Sequence, residues 1–304
     1  MYIILVQTEH TLRLRPGRVE DADNVGKIIF EAFSTLAEKH GFLPDFPSVD
    51  VGRAAASSFL SDPRFYSVVA EDSSGDNKGV VVGSNFLDER SNIVAGVGPL
   101  TIDPKYQNKG VGRQLMINVI ERAKNKNIPA IRLLQASYHN RSLALYTSLG
   151  FEVREPISNM QGKPIREVIP GRSVRTATES DVDSCNAICK AIHGHDRNGE
   201  LRDSIKQGSA KVVLHGDKIT GYTTGLAYFN HSVGLTNDDL KALISSANND
   251  DDRYGGPGIL IPTRNTQLFR WCLDNGLRLV QQLILMTIGL YNEPRGSYMP
   301  SILY

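Results

Sequence analysis

Three cysteines in 304 residues, Cys185, Cys189 and Cys272, are too few and too odd in number for a disulfide framework, and no secretory context accompanies them. Cys185 and Cys189 stand four apart on an expected helix, a spacing two metal ligands could use. No partner Cys/His pair with zinc spacing joins them, and buried free thiols are common, so no metal is expected. Long apolar runs are missing as well: no stretch approaches the ~20 residues of a membrane span. The apolar opening, residues 1–6, is too short for a signal segment and is closed by Gln7, Glu9 and His10. A cytoplasmic protein with no membrane partner is the expectation. Neither sign of charge dominates: 34 Lys and Arg face 33 Asp and Glu, leaving a net charge of +1. That balance argues against a nucleic-acid binder built on a broad basic surface. What remains, 40% hydrophobic and 22% charged, is a globular chain long enough for one large domain or two ordinary ones.

In the first half, strand and helix signals alternate. Residues 12–15 read as a strand and 19–36 as a helix with apolar Val25, Ile28, Ile29 and Phe33, followed by a proline-punctuated loop at 37–48. Residues 66–70 and 79–86 read as a hairpin turning through Ser73-Ser74-Gly75-Asp76-Asn77. An apolar strand at 97–102 leads into Gln107-Asn108-Lys109-Gly110-Val111-Gly112. The helix that starts at Val111 places Leu115, Val119 and Ile120 on one face. Residues 131–135 form another strand, and a helix from about Ser142 stops at Gly150, where glycine takes a left-handed cap.

The second half repeats this opening in weaker form. Arg15-Pro16-Gly17-Arg18-Val19-Glu20-Asp21 aligns without a gap with Arg175-Thr176-Ala177-Thr178-Glu179-Ser180-Asp181, so that Arg15 matches Arg175 and Asp21 matches Asp181. Lys218-Ile219-Thr220-Gly221 echoes Lys78-Gly79, and Asn265, Trp271, Gly276 and Leu277 echo Asn140, Tyr146, Gly150 and Phe151. Three echoes in one order read as two structural copies joined within 155–172, where Pro156, Gly162, Pro164, Pro170 and Gly171 cluster. The alternative is one continuous α/β domain. In place of the glycine element the second copy has Thr236-Asn237-Asp238-Asp239. Those acids suit a helix N-terminus but repel a diphosphate, so only the first copy is expected to bind one.

The glycine element sits at a strand-to-helix junction, where backbone N–H groups and the helix dipole favour an anion and the absent Cβ atoms of Gly110 and Gly112 allow close approach. Alone it could equally be a tight turn. Its neighbours are more specific. Val97-Gly98-Pro99-Leu100-Thr101-Ile102-Asp103-Pro104, then Gln107-x-x-Gly110-x-Gly112-Arg113, then Asn140, Tyr146, Gly150 and Phe151 together resemble the GNAT superfamily of acyl-CoA N-acyltransferases over residues 12–153. The second half resembles the degenerate partner domain of tandem GNAT proteins.

The resemblance implies an α/β (α+β) fold with a mixed, mostly antiparallel central sheet flanked by helices, in two copies at 1–168 and 169–304. It implies acetyl-CoA as co-substrate, its diphosphate held by backbone N–H groups of Gln107, Asn108, Lys109, Gly110, Val111 and Gly112, with Lys109 and Arg113 adding charge. The strand Leu100-Thr101-Ile102 would pair with the pantetheine arm through Leu100 and Ile102, and the Leu100 N–H would polarise the thioester carbonyl. Asn140 would contact pantetheine, unless it simply caps its helix. Tyr146 would protonate the leaving thiolate, unless it is an aromatic on a core face. The base that takes the amine's proton would be Glu89 or Asp88, in the turn before the fourth strand, unless both are solvated turn carboxylates. Asp103 caps or turns.

Three other segments concentrate polar or aromatic residues. His40, Phe42, Asp45 and Phe46 form either a lid on the acceptor cleft or a packed loop. His193-Gly194-His195-Asp196-Arg197 reads as a polar helix-ending loop in preference to a metal or acid/base cluster. Residues 291–304 are expected to pack. The function implied is transfer of an acetyl group to a primary amine, on a small molecule or a peptide. Attack would be direct, because no activated nucleophile lies at the site. The alternatives are a non-catalytic acyl-CoA sensor and an acyltransferase using a longer acyl donor or a thiol-related amine acceptor. Neither the acceptor nor the oligomeric state is legible.

Overall fold

A computed structural model describes residues 12–74, 78–248 and 252–303. The apolar opening, residues 75–77 of the expected hairpin turn and Tyr304 of the tail lie outside the described residues. Internal contacts divide the chain into two compact units. One runs to Leu87 and takes in Val97–Lys126; the other holds Asp88–Gly96 and the chain from Asn127 onward.

The first unit opens with β1 (Leu12–Pro16), α1 (Ala22–His40) and α2 (Val49–Ser61). Val25, Ile28 and Ile29 recur at helical spacing and are buried, so α1 lays one face on the sheet. It runs past the expected end at Leu36 and stops where Gly41 turns left-handed at φ 73°. Ser48 starts α2 by accepting the Val51 N–H at 3.3 Å. The two helices touch through glycines: a Cβ on Gly26 would lie 2.4 Å from the Arg53 Cα, and one on Gly52 would lie 2.4 Å from the Gly26 carbonyl oxygen. Next comes β2 (Phe65–Asp72), paired antiparallel with β1, and then β3 (Val81–Asp88) beside it.

The strand expected at 97–102 is split. Its first part is β4 (Val94–Val97), whose residues 94–96 belong to the second unit; its last part is β5 (Thr101–Ile102), which pairs with Gly83 and Ser84 of β3. Pro99 between them has no N–H to give a ladder, and Gly98 at φ 133° sends its own N–H to the Phe86 carbonyl at 3.0 Å. After the glycine element, α3 (Val111–Asn125) buries Leu115, Met116, Val119 and Ile120.

The second unit continues with β6 (Ala130–Ala136), α4 (Asn140–Ser148) and β7 (Glu152–Gln161). Beyond the Pro/Gly-rich segment come β8 (Ser173–Thr176), α5 (Val182–His193), α6 (Asn198–Lys206), β9 (Lys211–His215), β10 (Lys218–Thr223), β11 (Ser232–Gly234) and α7 (Asn237–Ile244). The chain ends with β12 (Ile259–Pro262), α8 (Thr266–Asp274), β13 (Arg278–Gly289) and β14 (Ser297–Met299). A five-stranded sheet runs β14-β11-β10-β9-β8, so the tail packs as an edge strand; Ser297, Tyr298 and Met299 are buried. The other strands of this unit run β4-β6-β13-β7-β12. In that order strands from before and after the Pro/Gly-rich segment alternate: β13 lies between β6 and β7, and β7 lies between β13 and β12, antiparallel throughout. Gly96 of β4 lies hard against the tail, with the Leu303 carbonyl where a Cβ would stand.

The repeat survives as atoms. Arg15 donates to Asp21 at 2.7 and 2.8 Å and to the Pro16 carbonyl at 3.0 Å; Arg175 donates to Asp181 at 2.7 and 2.8 Å and to the Thr176 carbonyl at 3.1 Å. The Arg18 and Thr178 N–H groups each reach the same carboxylate at 2.8 Å. The third echo shifts by one residue. Phe151 N–H bonds the Tyr146 carbonyl and Leu277 N–H bonds the Cys272 carbonyl, both at 3.0 Å, so Cys272, and not Trp271, occupies the place of Tyr146. Trp271 is half-buried against the core, and its indole N–H donates to Glu167.

Candidate active site

The start of α3 is an open anion cradle. Asn108 and Gly110 both have left-handed backbones, at φ 64° and 80°, which aim successive peptide groups to one side. Gly110 is the N-cap residue and supplies no side-chain acceptor, and the first turn holds no acid. The N–H groups of Val111 and Gly112 belong to the first turn of a helix whose N-cap residue offers no side-chain acceptor. Among the described residues beyond its own chain neighbours, none comes within 4 Å of where a Cβ on Gly110 would stand. Lys109 is exposed, with its Nζ 4.8 Å above the ring of Tyr106, whose hydroxyl is anchored to Asp72 at 2.8 Å. Asp103 accepts the Lys105 N–H at 2.8 Å, the capping role expected of it. Gln107 is half-buried and its side-chain amide donates to the Ile102 carbonyl at 3.4 Å. Thr101 turns its hydroxyl inward to Ser84 at 3.0 Å, whereas Leu100 and Ile102 are only half-buried. A helix start without a capping side chain, open space and a nearby ammonium fit a diphosphate.

α7 is the counterpart in the second copy, and its start is closed. Thr236 caps the Asp239 N–H, and Asp239 accepts the Thr236 N–H at 2.8 Å, a reciprocal capping box. Asp239 is fully buried, held by Arg172 at 2.7 Å and Thr220 at 2.6 Å, while Asp238 pairs with Lys241. The start of α7 is thus capped by its own side chains.

Helix α4 carries the expected acid. Its N-cap residue is His139, so exposed Asn140 is the first helical residue and not the cap. Tyr146 is buried, edge-on to Phe151 with ring centroids 6.0 Å apart. Burial pushes its phenol up to about 12, with the Ser142 hydroxyl, one turn earlier, pulling the other way. Ser142 in turn meets His139 Nδ1 at 2.6 Å.

The candidate bases are less solvated than a turn would leave them. Asp88 is the last residue of β3 and is buried; both its oxygens face the Arg90 guanidinium, with Nε contacts at 2.9 and 3.0 Å and Nη2 at 2.5 Å. Arg90 also reaches Glu200 at 3.3 Å and Asp203 at 3.7 Å. Glu89 is half-buried in the turn that follows. A cavity of about 30 Å³ adjoins this cluster, lined by Asp88, Gly96, His195, Arg197, Glu200 and Leu303. It has room for one or two waters.

The segment expected to be a polar loop is instead interior. His193, His195 and Arg197 are buried after Gly194 ends α5 in a left-handed turn. Burial drives the His195 ring down to about 4 and His231 down to about 3, so both are neutral at pH 7. Glu200 is pushed up by burial, but the Arg197 guanidinium, with Arg90 beyond it, holds it below the usual carboxylate range. Arg90 and Glu200 come from distant parts of the chain, and nothing in either local sequence announces the pairing. In the first unit, Phe46 is buried and tilts onto Phe33 at 5.0 Å, packing at least that part of the 41–48 loop. Cys185 and Cys189 are buried in the core of the five-stranded sheet, and burial raises them to about 12 and 11.

Residues 31–151 match the model of the acetyltransferase (GNAT) family. A mycothiol acetyltransferase of Thermobifida fusca (strain YX) is 26% identical over 152 residues, 49% of this chain. The match spans 42% of that protein, less than half its length. Among solved structures, a Pyrococcus horikoshii protein described as a candidate acetyltransferase aligns over 100% of this chain and 98% of its own, with TM-score 0.72 and 17% identity. A tandem GNAT protein from the clavulanic acid biosynthesis pathway aligns over 92% and 98%, with TM-score 0.56 and 13% identity. At those identities the likeness is one of fold: the whole chain has the tandem architecture that the internal repeat implied.

Proposed function

We propose that the chain is an acetyltransferase of the GNAT family whose first copy, residues 1–168, transfers an acetyl group from acetyl-CoA to a primary amine. The second copy, 169–304, buttresses it through the alternation of β6, β13, β7 and β12. The observation that carries this reading is the uncapped, acid-free start of α3 behind two left-handed residues. Gln107, Asn108, Lys109, Gly110, Val111, Gly112 and Arg113 would hold the diphosphate, Leu100, Thr101 and Ile102 the pantetheine arm, and Asn140, exposed at the start of α4, its far end. Bound there, acetyl-CoA supplies an activated acyl group, and the chain's residues do the rest.

Tyr146 acts as the acid. A phenol raised to about 12 keeps its proton at neutral pH, as a donor to the departing sulfur must. Attack is direct: the amine nitrogen bonds to the carbonyl carbon, the C–S bond breaks, and the amine gives up a proton. Glu89 or Asp88 receives it. Both oxygens of Asp88 hold Arg90. The partial likeness to a mycothiol acetyltransferase favours a second reading of the acceptor alone, a mycothiol-type amine.

Mixing the protein with acetyl-CoA and a panel of amines that includes such an acceptor, while following free thiol, tests the proposal. Thiol release with one or more amines is expected, with Tyr146→Phe slower at every pH. Tight CoA binding without release for any amine would favour a sensor.

A further inference from the structure

The second copy holds a cavity to which acetyl transfer gives no part. It measures about 230 Å³ and lies where the end of β12, the start of α8 and the start of β14 meet. At ~30 Å³ each, about seven waters would fill it. Its polar walls hold one another in place. The Asn237 and Asn265 carboxamides bond reciprocally at 3.1 and 2.8 Å, and Ser297 donates to Asn237 Oδ1 at 2.5 Å. Pro262, Ser297 and Tyr298 are buried and Arg264 is exposed, which puts the arginine at the mouth. Among the described residues that line the cavity, Arg264 carries the only charge. Its guanidinium is held unevenly. Nε donates to buried Glu155 at 2.7 Å, and the hydroxyls of Tyr298 and Tyr291 also donate to that carboxylate. On the outer edge, Nη1 reaches Glu293 at 3.3 Å and Nη2 the Pro294 carbonyl at 3.4 Å, both longer than the roughly 2.7–3.2 Å of a well-made bond. The Glu293 side chain is 76% exposed, so it can exchange this contact for water.

We propose that this cavity binds a small polar carboxylate, whose two oxygens take the Nη1–Nη2 fork of Arg264 in place of Glu293. Paired N–H bonds from one guanidinium to one carboxylate are shorter and stronger than the long contact they replace. Each Nη carries two hydrogens, so the Pro294 contact stays. Charge is conserved: one carboxylate leaves for water as another arrives, and the Arg264–Glu155 pair remains whole. The volume admits a ligand with the bulk of about seven waters, the range of hydroxy acids and short dicarboxylates. An acceptor on the rest of the ligand meets Asn237 Nδ2, whose second bond goes to exposed Gln267 at 3.2 Å and is as readily given up. Coenzyme A is far larger, so this site does not duplicate the cradle at α3. The inference depends neither on the acetyl donor nor on Tyr146.

Titrating the full chain with sodium lactate, sodium succinate and inorganic phosphate, at pH 7 and constant ionic strength, tests the site. With 15N-labelled arginine, the Arg264 Nε–H signal, identified by its loss in Arg264→Lys, should shift saturably with lactate or succinate. Isothermal titration gives the affinities. Arg264→Lys keeps a charge beside Glu155 but has no fork, and should bind at least about tenfold more weakly. Glu293→Gln changes an exposed side chain and removes the resident competitor. It should tighten binding about twofold to fivefold, the worth of an exposed ion pair. No saturable shift with either carboxylate, or one affinity shared by all three proteins, would overturn the site. Saturation by phosphate alone would overturn the carboxylate as its ligand.

Discussion

Gly110 separates what the fold requires from what a ligand requires. Its backbone is left-handed at φ 80°, a conformation that costs an L-residue about 1–2 kcal/mol. Among the described residues beyond its chain neighbours, none comes within 4 Å of a Cβ there. Gly110→Ala should therefore lower stability by that backbone cost, about 5- to 30-fold in the folding equilibrium. Gly110→Asn should lose less, because asparagine tolerates the left-handed region. For binding the order changes. Either side chain intrudes where the diphosphate would approach, and losing one charge-assisted N–H bond, about 1.5–3 kcal/mol, weakens CoA about ten- to hundredfold. Asparagine, the larger group, should weaken it at least as much as alanine while disturbing the fold less. Urea unfolding reads the first quantity and isothermal titration with CoA, at a temperature where all variants are folded, reads the second. If Gly110→Asn binds CoA like the wild type, this loop is not the cradle.

Two further outcomes concern the fold. Gly26→Ala drives a methyl to 2.4 Å from the Arg53 backbone and should destabilise the protein by about 1–3 kcal/mol, measured as a fall in urea midpoint; an unchanged midpoint would mean that α1 and α2 can slide apart. Neutral, buried His195 and His231 protonate more readily once unfolded, so their contribution is complete above about pH 6.5. It is lost as pH falls toward about 4 and 3, at about 1.4 kcal/mol per pH unit each. Urea midpoints between pH 7 and 4.5 should fall accordingly, and less steeply in His231→Asn; a flat profile would show that the folded protein takes up the protons too.

Local chemistry was legible in the sequence and long-range pairing was not. The gapless match of Arg15 and Asp21 with Arg175 and Asp181 became two closely matching Arg–Asp clasps, because the partners of each clasp stand six positions apart and share one turn. The left-handed stop at Gly150 and the capping role of Asp103 were likewise local. The split of the 97–102 strand was foreshadowed by Pro99, yet its length followed from which partner each half meets, β6 or β3. The burial of Asp88 depends on Arg90 and Glu200 converging from distant parts of the chain, and that of His195 on packing that its polar neighbours disguise.

The two copies also differ in a way that makes a countable claim. A GNAT cofactor site as assigned here needs free N–H groups at a helix start and a strand edge for the pantetheine arm. In the second copy both are occupied by the chain itself. Thr236 Oγ1 takes the Asp239 N–H while Asp239, held by Thr220 and Arg172, takes the Thr236 N–H, and the edge of β11 is paired with the tail: Ser232 with Met299, Val233 with Tyr298, Gly234 with Ser297. Displacing either means leaving buried polar groups unpaired, at about 1–3 kcal/mol each, before any contact with a ligand is gained. One CoA per chain is therefore expected in isothermal titration, and the Gly110→Asn variant should lower the affinity of that single site without exposing another. Two CoA per chain in the wild type, or a residual tight site in Gly110→Asn, would mean that the tail yields and that the second copy's groove is open to ligand.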